Sequence, residues 1–238
     1  VPAAQDRRRD NRGGSARRMS MILYGHPFSS YTWKALIPLY EKGIDFEFRI
    51  LGDDHPEHWE QLRGHWPRGQ MPVLVNRERG VFESSIIIEY LDLAYPETAQ
   101  MIPDNREAAL QVRLMDRVFD CHLEASFQAA VSEYIPFITK TPDPLRVERA
   151  RATLSTIYPW LEEQLPEDGW ACGDAFSMAD CSGAPALFYA DWTQPIPDEC
   201  IKLKAYRARL LARPSVARCV EDARPYRSYF PLGAPNRD

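Results

Sequence analysis

Two short stretches of this chain carry residues that together could hold a small peptide. In the first, Gly69-Gln70-Met71-Pro72-Val73-Leu74, a proline stands between apolar residues at the start of a short strand. Proline cannot donate a ladder hydrogen bond, so it fits a sheet edge whose backbone stays open for a peptide-like ligand. In the second, eleven residues after that proline, Glu83-Ser84-Ser85 precedes the helical run Ile86-Ile87-Ile88-Glu89-Tyr90-Leu91. An acid and two hydroxyls ahead of such a run make a helix N-terminus whose free amides can seat a carboxylate. A backbone edge and an anion seat one strand apart suit a small peptide with a free α-carboxylate.

Met21-Ile22-Leu23-Tyr24 reads as a buried strand ending at Gly25-His26-Pro27. Ser29 or Ser30 then starts a helix through Trp33, Leu36, Ile37, Leu39 and Tyr40, closed by Gly43 as its cap, with Pro38 expected to kink it. Phe46, Phe48 and Ile50 alternate with Glu47 and Arg49 as a second strand. Residues 52–69 are polar, with an amphipathic turn around His58, Trp59 and Leu62. Val73-Leu74-Val75 and Val81-Phe82 flank turn residues 76–80 as a hairpin, and a helix over 84–94 stops before Tyr95-Pro96. From Asp104 onward no strand pattern is found. One helix is expected over 106–138, with Leu110, Leu114, Val118, Cys121 and Ala125 as a single apolar stripe, and further helices over 145–164, 201–212 and 216–223. Ser177 and Asp180 form a capping box ahead of another.

Composition narrows the class. The chain of 238 residues has room for one large domain or two small ones. Its formal charge of −5 hides a basic head, since residues 1–18 carry six arginines against Asp6 and Asp10. The remainder is strongly acidic, which disfavours binding to a nucleic-acid backbone. The head has the makeup of a disordered arm, and no apolar run reaches the ~18 residues of a membrane span. Five cysteines, Cys121, Cys172, Cys181, Cys200 and Cys219, show no metal spacing and no even-numbered disulfide set, which fits a reducing cytoplasm and no metal.

The residues Leu23-Tyr24-Gly25 leading into Ser29-Ser30-Tyr31-Thr32-Trp33-Lys34, then Pro67 through Leu74, Glu83-Ser84-Ser85 with Ile88-Glu89-Tyr90-Leu91, and Gly173 through Asp180 resemble the cytosolic glutathione transferase family, in its serine-type, bacterial-like form. The resemblance spans nearly all of 21–223. Beyond the basic extension at 1–18, it implies an α/β thioredoxin-like N-terminal domain over 19–100 that binds glutathione, and an all-α helical bundle domain over 104–230 that receives a second substrate. Glutathione, the commonest small peptide of this kind in cells, would be the co-substrate. The resemblance further implies a cis bond before Pro72, pairing of the Met71 backbone with the cysteinyl part of glutathione, Ser84 on the γ-glutamyl carboxylate, Glu83 facing the ammonium, and a contact from Gln70. A homodimer is implied as well.

Ser29 is placed by the resemblance at the activating hydroxyl, where it would donate to the glutathione sulfur, leaving that sulfur as the nucleophile. Its other reading is a plain helix cap, with Ser30 or Tyr31 then the donor. Tyr31, Phe119 and Tyr134 are expected to wall the second pocket, with Phe127, Tyr226, Tyr229 and Phe230 as further aromatic candidates. His26 reads as a loop residue. The implied activity is attack by the glutathione thiol on a small, apolar electrophile. Ether cleavage, dehalogenation and maleyl isomerisation remain open on the same fold. The isomerase pattern is weakened because Tyr31 stands where that branch has cysteine. A non-catalytic interaction protein is the reading from another class.

Overall fold

The computed structural model describes residues 21–238, so the basic head over 1–18 lies outside the described residues. Strand β1 (Met21–Gly25) leads into helix α1 (Ser30–Glu41) and strand β2 (Phe46–Ile50). Helix α2 (Pro56–His65), strands β3 (Val73–Asn76) and β4 (Arg79–Phe82), and helix α3 (Ser84–Ala94) complete the first half. The sheet order is β2-β1-β3-β4, with β1 and β2 parallel and the other pairs antiparallel. This is the thioredoxin-like arrangement. Two expectations change: 56–65 is a full helix that buries Leu62, and β3 is an interior strand. Pro72 therefore does not sit on a sheet edge. It precedes the first paired residue of β3, where no ladder hydrogen bond is required of it.

Gly43 closes α1 with φ +62°, its amide on Tyr40 O and the Ile44 amide reaching back to Leu39 O. That is the left-handed cap that glycine adopts without a Cβ penalty. Pro38 is accommodated inside α1, which runs unbroken to Glu41.

The second half is helical: α4 (Arg106–Val118), a π-helical turn (Phe119–Glu124), α5 (Ala125–Ser132), α6 (Pro144–Gln164), α7 (Met178–Thr193), α8 (Ile201–Ala212) and α9 (Pro214–Ala223), then a 3-10 turn (Arg224–Tyr229). Every residue of α7 is buried, which makes it the axis of the bundle. Its capping box is present. Asp180 accepts from the Ser177 amide at 2.8 Å, and its other oxygen takes the Ala171 amide and the Tyr206 phenol. Helix α1 lies between the sheet and α7, with Trp33 packed on Phe188 and Tyr189.

The helix expected over 106–138 ends at Ser132, and of its expected stripe Val118 is buried while Leu110, Leu114, Cys121 and Ala125 are exposed. Leu110 and Leu114 are 61% and 51% exposed, and Cys121 is exposed, whereas Ala109, Val112, Met115, Asp116 and Phe119 face inward. The segment has apolar residues on two faces, and spacing alone does not decide which one meets the core.

Candidate functional site

The Met71–Pro72 peptide bond is cis. Among the described residues, the Met71 backbone N–H and C=O have no protein partner, so a peptide group is left open beside the sheet. Across β3 and β4 the chain turns into α3 through Glu83, whose φ of +68° lies in a region that non-glycine residues rarely occupy. Such a backbone costs about 1–3 kcal/mol and persists where its surroundings enforce it. Glu83 occupies the cap position of α3 without a side-chain cap bond, so Ser84 begins the helix and is not its cap. The Ser84, Ser85 and Ile86 amides have no protein acceptor among the described residues, and the first turn contains no acid. Three open amides at the positive end of an 11-residue helix form an anion seat.

Both features open onto one cavity of about 820 Å³. Its wall on the sheet side includes Gln70, Met71, Pro72, Glu83 and Ser84, so all five residues expected to contact the tripeptide are brought together. Trp66 and Phe82, stacked with ring centroids 4.0 Å apart, form an apolar patch beside them. Gln70 is exposed and accepts from Arg68 Nε at 3.2 Å.

Beneath the seat lies a polar network that sequence reasoning missed. Lys34 of α1 is 1% exposed, and its Nζ reaches Asp116 at 2.7 Å, Asp120 at 2.6 Å and Ser85 Oγ at 2.7 Å. Arg117 joins both carboxylates at 2.6 Å, and the Ser182 hydroxyl donates to Asp116. Burial alone would push the Asp116 carboxyl up, but Lys34, Ser182 and Arg117 together hold it below its ordinary value. Two cations against two anions leave this network neutral. The one available signal was a lysine inside the apolar run Trp33-Lys34-Ala35-Leu36-Ile37.

The start of α1 separates three neighbouring hydroxyls. Ser29 is the cap of the helix, accepting from the Thr32 amide at 3.3 Å, and is half-buried. Its oxygen accepts in that bond, so its proton is left for another acceptor. Ser30 is buried and donates to Glu124, a commitment that removes it as a donor to a ligand. Tyr31 lines the cavity with Cys121 and Ala125. Burial first, then Glu124 and Asp120, push its phenol well above the ordinary tyrosine range, so it stays protonated.

Phe119 and Tyr134 are not brought to this cavity. Phe119 is wholly buried and stacks on Tyr206 in the core, and Tyr134 lies past the end of α5, 40% exposed. Of the other aromatic candidates, Phe127 and Phe230 pack on Tyr189, and Tyr226 and Tyr229 cover His26. His26 is a structural loop residue. Its Nδ1 accepts from the Phe28 amide at 3.1 Å, and burial lowers its pKa.

Comparison with known proteins places this geometry in context. Residues 23–99 match the family model of the glutathione S-transferase N-terminal domain, and 144–209 that of its C-terminal domain. Glutathione S-transferase 3 of Zea mays is 30% identical over 210 residues, covering 83% of this chain and 92% of the relative. A stringent starvation protein A homolog of Coxiella burnetii is 28% identical over 172 residues, covering 72% of this chain and 77% of the relative. Among solved structures, a glutathione S-transferase of Methylobacillus flagellatus with glutathione bound superposes with a TM-score of 0.72 at 25% identity, covering 84% of this chain and 98% of that one.

Proposed function

The chain belongs to the glutathione S-transferase family, and from that premise we propose that it activates the glutathione thiol for attack on a small, apolar electrophile. The observation that carries this reading is the meeting of the open Met71 peptide group and the open α3 amides in one cavity. The γ-glutamyl carboxylate takes the Ser84 and Ser85 amides and the Ser84 hydroxyl, while Glu83 faces the ammonium. The cysteinyl peptide group pairs with Met71, as an added strand pairs with a sheet. Gln70 contacts the tripeptide from the rim.

This seating directs the thiol toward the start of α1. A thiol with a pKa near 8.5 is mostly protonated at neutral pH, and the thiolate is the nucleophile. The positive end of α1 and the Ser29 hydroxyl both favour the thiolate, the latter by donating a hydrogen bond to the sulfur. The thiol proton leaves to solvent. The sulfur lone pair then forms the new C–S bond, and the electrophile either expels its leaving group with the bonding pair or takes the electrons into a conjugated acceptor. Tyr31, Ala125 and the exposed Cys121 form the wall where that electrophile lies.

We also assign a homodimer. Ile86 and Leu93 of α3 and Leu110 and Leu114 of α4 are each more than half exposed, and the Glu89–Arg113 pair ties the two helices into one face. A second copy on that face covers apolar surface beside the cavity mouth. We place the protein in the cytoplasm on its five free thiols.

Retention on immobilised glutathione, lost in Ser84→Ala, tests the seat. Wild-type protein that passes through unretained, with no glutathione-dependent turnover of an activated chloronitroarene, replaces this reading with the non-catalytic interaction protein.

A further inference from the structure

Helices α1 and α4 with its π-helical extension meet along two matching ridges. On α1 the ridge is Ser30 and Lys34, one turn apart; on the other side it is Asp116, Asp120 and Glu124, each four residues on. Lys34 takes Asp116 and Asp120, and Ser30 takes Glu124. In an ideal α-helix residues four apart drift sideways along the axis, and the wider π turn over 119–124 offsets that drift, which keeps the third acid facing α1.

The three acids are not equally served. Asp116 and Asp120 have two cations between them, whereas Glu124, 2% exposed, has no ion-pair partner among the described residues. Its contacts are neutral: Ser30, and the Gln128 amide, which donates at 3.2 Å to Glu124 Oε1 and to Ser30 Oγ. A buried carboxyl in such surroundings keeps its proton.

We propose that Glu124 is a positioning residue of the glutathione site that works in its uncharged form, fixing the first turn of α1 through Ser30 while adding no negative charge beside the seated sulfur. The inference rests on the proposed placement of that sulfur at the start of α1. Burial raises the carboxyl to about 8, so the uncharged form prevails at neutral pH and gives way in mild alkali. Once ionised, Glu124 places a carboxylate next to the turn that must stabilise a thiolate, and glutathione affinity falls.

The groups facing Glu124 bear on this assignment. Helix α1 brings Tyr31 and Lys34, and its own helix brings Asp120, while Arg117 and Cys121 act on Tyr31. Helix α7 brings Tyr189, whose phenol donates to Phe28 O at 2.9 Å. Helix α5 contributes the uncharged Gln128. Burial raises both phenols, so neither of them accounts for a transition near 8.

The test is calorimetric titration with glutathione and with S-methylglutathione between about pH 7 and 9, on wild type, Glu124→Gln, Cys121→Ser and Ser84→Ala. Glutamine keeps an acceptor for Ser30 and cannot ionise. Ionisation of glutathione itself is common to all four proteins and cancels in the comparison. The expected result is equal glutathione affinity for wild type and Glu124→Gln near pH 7, with wild type weakening toward pH 9 by up to about tenfold relative to the variant, for a coupling of about one pK unit. S-methylglutathione, which forms no thiolate, should show little of this gap, and Cys121→Ser should titrate as wild type does. Wild type and Glu124→Gln that weaken in parallel, or a gap that disappears in Cys121→Ser, overturn the inference. Ser84→Ala keeps the two failures apart. If it binds glutathione more weakly than wild type while no gap opens at alkaline pH, the glutathione seat stands and only the role of Glu124 is refuted. If wild type binds no glutathione, both fall.

Discussion

Replacing Glu124 by glutamine should stabilise the fold, by an amount that grows with pH. The folded carboxyl holds its proton up to about 8, whereas the same group in the unfolded chain releases it near 4.5. Between those values the unfolded state binds fewer protons than the folded one, so this group makes stability fall as pH rises. Below 4.5 both states are protonated and nothing is lost; above about 8 both are ionised and the loss is complete. Each pH unit in the window costs about 1.4 kcal/mol, which amounts to about 3 kcal/mol at pH 7 and, with the folded group half ionised, about 4 at pH 8, to order of magnitude. Glutamine has no such dependence, and the other titrating groups are shared by the two proteins. Urea unfolding at one protein concentration and at pH 5, 6, 7 and 8 should give a difference between variant and wild type that widens by about 3–4 kcal/mol, with the denaturant slope unchanged. A constant offset across the series would contradict this, because it would mean that Glu124 ionises in the folded protein as it does in the unfolded chain.

Other expected outcomes rest on separate parts of the structure. Ser29→Ala should cost about 1 kcal/mol of stability as a lost cap and raise the pKa of bound glutathione, read from thiolate absorbance; an unchanged thiol pKa reassigns the donor to Tyr31. Lys34→Met strands Asp116 and Asp120 with Arg117 alone and should destabilise by about 3–5 kcal/mol, measured by denaturant unfolding, with a loss under 1 kcal/mol contradicting the buried pairing. Leu110→Glu with Leu114→Glu should convert a dimer into monomers by light scattering; a mass unchanged from wild type moves the interface elsewhere.

Much of the fold was legible because its signals are local. The Gly43 cap, the Ser177–Asp180 capping box and the alternation of Phe46, Phe48 and Ile50 each depend on neighbours within a few residues. The cis bond before Pro72 and the grouping of Met71, Glu83 and Ser84 around one cavity follow the pattern implied by the family resemblance. What stayed hidden depends on partners distant in sequence. Ser30 is removed from the list of thiol donors by Glu124, 94 residues away, and Lys34 is buried because Asp120 meets it from 86 residues away. Leu110 and Leu114 are exposed because α4 has apolar residues on two faces, and the core takes the face containing Val112 and Met115. Phe119 was expected in the pocket on its aromaticity. One and two positions further along the helix, Asp120 and Cys121 reach the cavity, and Phe119 turns toward Tyr206.

We propose that the open Met71 peptide group and the open amides of α3 form one receptor for glutathione, with its sulfur at the start of α1. A crystal structure of the complex with glutathione tests this. The predicted result has the γ-glutamyl carboxylate on the Ser84 and Ser85 amides, the cysteinyl peptide group paired with Met71, and the sulfur within hydrogen-bonding distance of Ser29 Oγ. A cavity left empty at saturating glutathione, or a tripeptide seated with its sulfur away from α1, would contradict it.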